Sequence, residues 1–320
     1  FPDVQEIART NRPILDDIKS LKLKPLISRT RTFEISERMR YDGSVESAIE
    51  LEDVDRAMQN IPDDDEVAVA ICLLHSYANP THEIEAKQLC EKLRPDLFVC
   101  NSHEVLSQFR EYERFSTTAL NAILGPLMSQ YFGHLKASLA ERGYRHDIYI
   151  MTSNGGVSTV ERAKELPIST VLSGPAGGVA AAVYLGKRHK LPNLITCDMG
   201  GTSFDVSLIS NGSSVNGSQI SIDFGMTIRT PMVEITTIGA GGGSIASVDK
   251  GGFLKVGPNS AGAEPGPVCY GLGNRFPTVT DANLVLGRIN PERPIGGKLK
   301  TLDLKASRKA IKTEIGEKLN

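Results

Sequence analysis

The chain has 320 residues, 40% of them hydrophobic and 23% charged, with a formal net charge of −2. That length allows two domains or one two-lobed unit with a substantial core, and the near-neutral balance excludes a general basic surface for nucleic acid. Cys72, Cys90, Cys100, Cys197 and Cys269 are widely spaced with no CxxC pair, which points to cytosolic thiols rather than a disulfide frame or a zinc site. No apolar run reaches membrane-spanning length and no signal peptide is visible, so a cytoplasmic protein without a membrane partner is expected. The text opens on Phe1 rather than Met and reads like a piece of a longer protein.

In chain order, Ile14 to Leu21 suits a short helix, Thr30 to Arg38 a strand and Tyr41-Asp42-Gly43 a turn. Leu51 to Asn60 has helical spacing at Val54, Ala57 and Met58. The acidic run Asp63 to Glu66 ends it and reads as a solvated turn rather than a metal site. Val67 to Leu74 is an uninterrupted apolar run, which marks a buried parallel strand. Asn79 then caps a helix with Pro80 as its first residue, running to about Leu93. Leu97 to Cys100 makes a further strand, so parallel pairing is expected. His75, His82 and His103 lie at the edges of this unit without metal-ligand spacing and read as a polar rim.

Arg110 to Arg142 is helical in pattern, broken at Gly125-Pro126 and closed by Gly143. Its apolar positions, Leu120 to Leu135, read as a core-facing stripe, and the opening cluster Arg110 to Arg114 as a solvated helix start. Asp147 to Met151 is a strand, followed by the glycine- and hydroxyl-rich Thr152 to Gly156, which reads equally as a ligand loop or a plain turn. Ser173 to Gly178 opens a small-residue helix, with Pro175 near its start.

Asn193 to Ser210 is strand, turn, strand: Leu194, Ile195 and Thr196 before the turn, and Phe204, Val206 and Leu208 alternating after it. Between them Asp198, Met199, Gly200, Gly201, Thr202 and Ser203 place an acid, two glycines and two hydroxyls, and Asp205 follows. Two glycines permit positive φ and leave no Cβ in the way, so successive N–H groups can form a phosphate nest. Asp198 can hold Mg²⁺, which takes one or two protein carboxylates beside phosphate oxygens, and Asp205 offers a second. The plain alternative is a tight hairpin with a capping acid.

Further β-rich text follows at Gln219 to Phe224, Thr227 to Thr230 and Glu234 to Ile238. Gly239 to Ser244, with Gly241, Gly242 and Gly243 in a row, permits close backbone approach to a flat ligand or phosphate. It lacks GxGxxG spacing, and no GxxxxGK[ST] P-loop occurs in the chain. Strands at Ile245 to Val248 and Phe253 to Val256, a structured surface loop at Pro258 to Arg275, and a helix capped by Thr280-Asp281 and running through Arg288 complete the pattern, before a charged, helical C-terminal stretch.

CDMGGTSFDVSLI, LSGPAGGVAAA, MTSNGGV, GAGGGSIA, VGPNSAGAEPGPVCYG and PTVTDANLVLGR together resemble the hydantoinase A/5-oxoprolinase family, with AVAICLLHSYANPTHE and SHEVLSQFREYERFSTTALNA adding to the likeness upstream. The first of these also resembles the second phosphate loop of the actin-like ATPase superfamily. The resemblance implies an α/β fold of actin-like (ribonuclease H-like) lobes, with mixed sheets flanked by helices. Residues 1–112 would be the end of the family's N-terminal domain, and 113–320 the domain carrying the second phosphate loop, cut short at its C-terminus.

It implies ATP and Mg²⁺ as cofactors and a cyclic amide or imide substrate of hydantoin or 5-oxoproline type, activated by carbonyl phosphorylation. It also implies a hydantoinase B-type partner, and a homo-oligomer is compatible with it. In that reading Asp198 and Asp205 support phosphoryl transfer, with Asp198 at the metal. Gly200, Gly201, Thr202 and Ser203 hold phosphate, and Gly241, Gly242, Gly243 and Ser244 the nucleoside side. An ATP-dependent acetone- or acetophenone-type carboxylase subunit and a non-catalytic ATP-binding switch are the alternatives. The family's first phosphate loop, of DxGGTxTD type, is not found here, so residues 1–320 alone are expected to be inactive.

Overall fold

The computed structural model describes all residues except 1, 10–15, 18, 22–23, 65, 224–225, 295–298 and 320, and the side chains of 220–223 and 226 are likewise outside the description. The chain forms two compact units: Phe1–Gly177 with Asn216–Val233, and Gly178–Val215 with Glu234–Asn320. The architecture is α/β, as expected, with helices and small sheets. Among the described residues one strand pair is parallel and the others are antiparallel.

In the first unit α1 (Leu51–Gln59) buries Val54 and Met58, one turn apart, against Ile71, Ala86, Cys90 and Val99. Strand β1 (Ala68–Ile71), helix α2 (Thr81–Leu93) and strand β2 (Phe98–Asn101) form the expected parallel unit, in register from Ala68↔Phe98 to Ile71↔Asn101. β1 stops short of Leu74. The Leu73 N–H leaves the ladder for the Glu83 carboxylate (2.9 Å), and His75 takes a φ of 58°. α2 begins one residue later than expected, because the Asn79 carboxamide oxygen accepts from both the N–H and the hydroxyl of Thr81.

Helix α3 (Glu111–Glu141) corrects the expected break, since it runs unbroken with Pro126 inside it. A mid-helix proline costs about 3 kcal/mol, which burial on both sides of it, from Phe115 and Ala119 to Phe132, offsets. Gly125 serves packing instead: a Cβ there would stand 2.3 Å from the Phe98 ring of β2. At the helix end Gly143 (φ +85°) donates to Ala140 O and Tyr144 to Leu139 O, a Schellman closure. The Arg110–Arg114 cluster is not a solvated start, because Glu113 is buried and Arg114 is fully buried.

The strand expected at Thr30–Arg38 is also corrected. Arg29–Arg31 is a single 3₁₀ turn, and only Arg38–Met39 pairs, with Val45–Ser47 across the Asp42-Gly43 turn. Of the helix expected at Ile14–Leu21, residues 14, 15 and 18 lie outside the described residues, and Asp16, Asp17, Lys19, Ser20 and Leu21 are turn or irregular rather than helical. Strands β3 (Tyr149–Met151) and β4 (Val157–Thr159) make a hairpin, and α4 (Ser173–His189) follows.

In the second unit β5 (Leu194–Met199) and β6 (Phe204–Ser210) form an antiparallel hairpin, and β7 (Thr236–Ile238) pairs with the far edge of β6. Register puts Ile195, Cys197, Met199, Phe204, Val206, Leu208 and Ile238 on one face. Thr196, Asp198, Asp205, Ser207 and Thr237 lie on the other. Strands β8 (Ser244–Val248) and β9 (Leu254–Ser260) form a second hairpin. The β-rich text before them resolves into Ile220–Asp223 with Met226–Ile228, and Asn216–Gly217 with Met232–Val233; Phe224 lies outside the described residues.

Helix α5 (Val279–Val285) is capped by Thr278 rather than Thr280, in a capping box with Asp281, and it ends before Arg288. Asp281 is fully buried and accepts from Val268 N, Cys269 N, Thr278 N and the hydroxyls of Thr278 and Ser307. The Pro258–Arg275 stretch is structured, as expected. It is pinned at Val268 and Cys269 to the start of α5 and, through Ser307, to α6 (Leu304–Ile311).

Candidate functional site

The turn Gly200–Ser203 joins β5 to β6 and is closed by a Gly200 N–H to Ser203 O bond of 2.9 Å. Against it lies the glycine ribbon 241–243. Gly242 N donates to Gly200 O (2.8 Å), Gly243 N to Gly201 O (2.5 Å) and Gly241 N to Thr202 O (3.3 Å). The two glycine-rich stretches, separate in sequence, are thus one backbone assembly.

That assembly sets the direction of the turn's amides. In a planar trans peptide the C=O and the following N–H point in opposite directions. The ribbon takes the carbonyls of Gly200, Gly201 and Thr202, so the N–H groups of Gly201, Thr202 and Ser203 point away from it. Among the described residues those three amides have no hydrogen-bond partner, nor do the hydroxyls of Thr202 and Ser203. Gly200, Gly201 and Thr202 are exposed. Three successive free N–H groups on one side are the elements of an anion nest.

The glycines earn their places differently from the expectation. Neither Gly200 nor Gly201 has a positive φ. A Cβ at Gly201 would meet nothing within 4 Å, so the chain's own packing does not demand glycine there. The ribbon is the reverse case. A Cβ at Gly241 would stand 2.4 Å from the Thr202 carbonyl carbon, one at Gly242 2.8 Å from Thr280 Oγ1, and one at Gly243 3.0 Å from Gly201 O. Ser244 is fully buried, its N–H bonded to Gly241 O and its hydroxyl to Gly239 O.

Asp198 and Asp205 face each other directly across the β5–β6 hairpin. Asp205 accepts a 2.7 Å bond from the Thr237 hydroxyl, while Asp198 is exposed and without a hydrogen-bond or ion-pair partner among the described residues. Like charges directly opposite on a sheet repel. Two carboxylates on the strands that lead into a turn of free amides are of the donor type Mg²⁺ takes when phosphate oxygens complete its shell. Among the described residues no group of three or more His, Cys, Asp or Glu side chains assembles.

Other polar clusters have their side chains hydrogen-bonded within the chain. In the Thr152–Gly156 turn the Ser153 hydroxyl donates to Ser169 O and Val171 O, and the Asn154 carboxamide accepts from Gly156 N and the Thr152 hydroxyl. Of the three histidines expected as a rim, His82 pairs with Glu37 and His103 with Glu83, each at 2.8 Å, while His75 Nδ1 meets the Tyr77 hydroxyl at 3.1 Å. Glu83 is fully buried and meets the buried Arg114 through the Ser102 hydroxyl, 2.6 Å from Glu83 Oε1 and 3.0 Å from Arg114 Nη1. A cavity of about 840 Å³ in this first unit has a mostly aliphatic wall, including Val69, Ile71, Phe115 and Ala119, and none of the turn or ribbon residues line it. The free donors and paired carboxylates single out the glycine assembly over that cavity. Sequence reasoning missed Thr237, Thr280 and Asp281 as its supports; the signal was the PTVTDAN string, which read only as a helix cap.

A hydantoinase/oxoprolinase family model matches residues 114–320, and a model of the same family's N-terminal region matches 1–94. The chain is 41% identical to caprolactamase subunit alpha of Pseudomonas jessenii over 92% of this chain and 42% of that protein. The crystal structure of the ATP-dependent caprolactamase superposes with a TM-score of 0.78 at 37% identity, covering 99% of this chain and 46% of that one. The 5-oxoprolinase of Saccharomyces cerevisiae is 37% identical over 70% of this chain and 17% of its own length. The acetone carboxylase beta subunit of Xanthobacter autotrophicus is 32% identical over 92% and 41%. A nucleotide-free acetone carboxylase structure gives a TM-score of 0.75 at 31% identity, over 94% of this chain and 42% of that chain. The chain thus spans less than half the length of these relatives. On the match of both family models, in order and over most of its length, the chain belongs to the hydantoinase/oxoprolinase family.

Proposed function

We propose that the Gly200–Ser203 turn cradles the phosphates of ATP, and that the whole protein is an ATP-dependent hydrolase subunit acting on a cyclic amide or imide of hydantoin or 5-oxoproline type. The observation that carries this is the set of three free amides, Gly201, Thr202 and Ser203, turned outward by the ribbon. Thr202 and Ser203 add hydroxyl donors. The ribbon's own N–H groups are occupied, so Gly241–Gly243 and Ser244 contribute shape on the nucleoside side rather than hydrogen bonds.

Asp198 and Asp205 would hold Mg²⁺, with Thr237 fixing Asp205; the ion would neutralise phosphate charge. The amide carbonyl oxygen bonds to the γ-phosphorus as the bond to ADP breaks. Water then attacks the carbon and the ring C–N bond opens, the nitrogen leaving as the protonated amine and the carbon remaining as an acyl phosphate. A second water attacks that carbon and displaces phosphate, which leaves with the original carbonyl oxygen and gives the carboxylate. An amide resists water because its oxygen and nitrogen are poor leaving groups, and phosphorylation removes that obstacle. The chain's contribution is positioning and fixed dipoles at the transferring phosphoryl. A hydantoinase B-type partner completes ring opening in this reading, and the protein works in the cytoplasm. The division 1–112 and 113–320 separates the two family regions, and residues 1–320 alone turn over ATP negligibly.

The likeness to acetone carboxylase supports a second reading, a carboxylase subunit; bicarbonate-dependent ATP turnover with a ketone distinguishes it. The test of the site is Asp198→Asn in the full-length protein. Folding should be unchanged, and ATP hydrolysis should fall by roughly 100-fold or more, the scale of losing one main electrostatic contributor. Surviving turnover with a lowered melting temperature would make Asp198 a turn acid only.

A further inference from the structure

We propose that Thr280 is a positioning residue for the phosphate turn, acting through the glycine ribbon; this rests on the reading of Gly200–Ser203 as a phosphate nest. Both donors of Thr280 converge on one acceptor. Its N–H reaches Gly242 O at 2.8 Å and its hydroxyl reaches the same oxygen at 2.9 Å. The N–H of Gly242 in turn holds Gly200 O at 2.8 Å. Thr280 is therefore two hydrogen bonds from the turn whose amides await the phosphate.

Its neighbours make it a fixed anchor. Thr280 sits in the first turn of α5, between the N-cap Thr278 and the buried Asp281, whose carboxylate collects five donors. The other side of the ribbon is held by Ala261 N on Gly243 O at 2.8 Å. With Gly242 and Gly243 gripped from behind, the ribbon's amides stay aimed at the turn carbonyls. The turn amides are then kept outward before any anion arrives, so the site loses no binding energy to reorienting them. The absent Cβ at Gly242 leaves room for the Thr280 hydroxyl, which a methyl would approach to 2.8 Å.

The test compares Thr280→Val and Thr280→Ser in the full-length protein. Valine keeps the backbone donor and the side-chain volume and removes only the hydroxyl bond; serine keeps that bond. Calorimetric affinities are measured for ATP and for adenosine, which has no phosphate. The expected result is a Kd for ATP raised about five- to tenfold in Thr280→Val, the scale of one hydrogen bond, with adenosine affinity unchanged and Thr280→Ser near wild type. If Thr280→Val does not fold, Thr280→Ala lacks the same hydroxyl without added bulk beside Gly242 and is read by the same two affinities. A folded hydroxyl-less variant that binds ATP as wild type does, or that loses ATP and adenosine affinity together, overturns the positioning role while leaving the phosphate nest standing. Failure of the wild-type protein to bind ATP removes the nest and the role with it.

Discussion

Alanine at Gly201 and at Gly241, introduced separately, distinguishes space kept for a ligand from space needed for packing. At Gly201 the new Cβ meets no heavy atom within 4 Å, and the backbone is not left-handed. Stability should stay level or rise by up to about 1 kcal/mol, because alanine restricts the unfolded chain. At Gly241 the Cβ would lie 2.4 Å from the Thr202 carbonyl carbon, 2.5 Å from Ser203 N and 2.7 Å from Thr202 N. Only backbone movement relieves such contacts, and it loosens the three bonds from the ribbon to the turn. Three bonds at about 0.5–1.5 kcal/mol each, with overpacking strain of about 1–3 kcal/mol, make the expected loss roughly 2.5–7.5 kcal/mol.

The assay is thermal unfolding beside calorimetric ATP affinity, both on the full-length protein. Gly241→Ala should lower the melting temperature by several degrees and weaken ATP through a displaced turn. Gly201→Ala should melt as wild type does, yet lose ATP affinity at least about tenfold, because its methyl stands beside the free amides. A Gly241→Ala protein as stable as wild type would refute the packing. A Gly201→Ala protein that binds ATP normally would show that no ligand approaches the turn there.

Two further outcomes concern the rest of the chain. Asp281→Asn replaces one oxygen of a buried carboxylate that serves five donors; it should cost about 3–5 kcal/mol in thermal or urea unfolding, and a loss under 1 kcal/mol would mean the loop is held by something else. Burial pushes the thiols of Cys90, Cys100 and Cys269 up to about 11, about 12 and about 12. Cys197 is exposed, so maleimide at pH 8 should label Cys197 rapidly in the folded chain and the other three only on unfolding, as read by mass spectrometry. Because those three folded-state values lie above the ordinary 9.0, their contribution to stability is complete below pH 9 and is lost as pH rises toward 12. A melting temperature flat across that range would contradict it.

Local pattern determined much of this protein. Apolar spacing at Val54 and Met58 marks α1, and the uninterrupted run through Ala68–Ile71 marks a parallel strand, because one-sided burial imposes a period and two-sided burial erases it. Asp198-Met199-Gly200-Gly201-Thr202-Ser203 is legible as a hairpin turn rich in donors, and the long glycine motifs are legible as a family. Tertiary structure decided what those glycines do. That Gly241–Gly243 cap the carbonyls of Gly200, Gly201 and Thr202 is a contact between distant segments, and no local spacing encodes it. The same holds for Arg114, which reads as a solvated charge in sequence but is buried by Ser76, Ser102 and the Leu73 carbonyl. It holds again for Pro126, whose helix survives because neighbours outside the helix supply the burial that offsets its missing bond. Thr280 looked like a cap because hydroxyls near a helix start usually are; its acceptor, Gly242 O, lies on another strand's approach, and only the folded chain brings the two together.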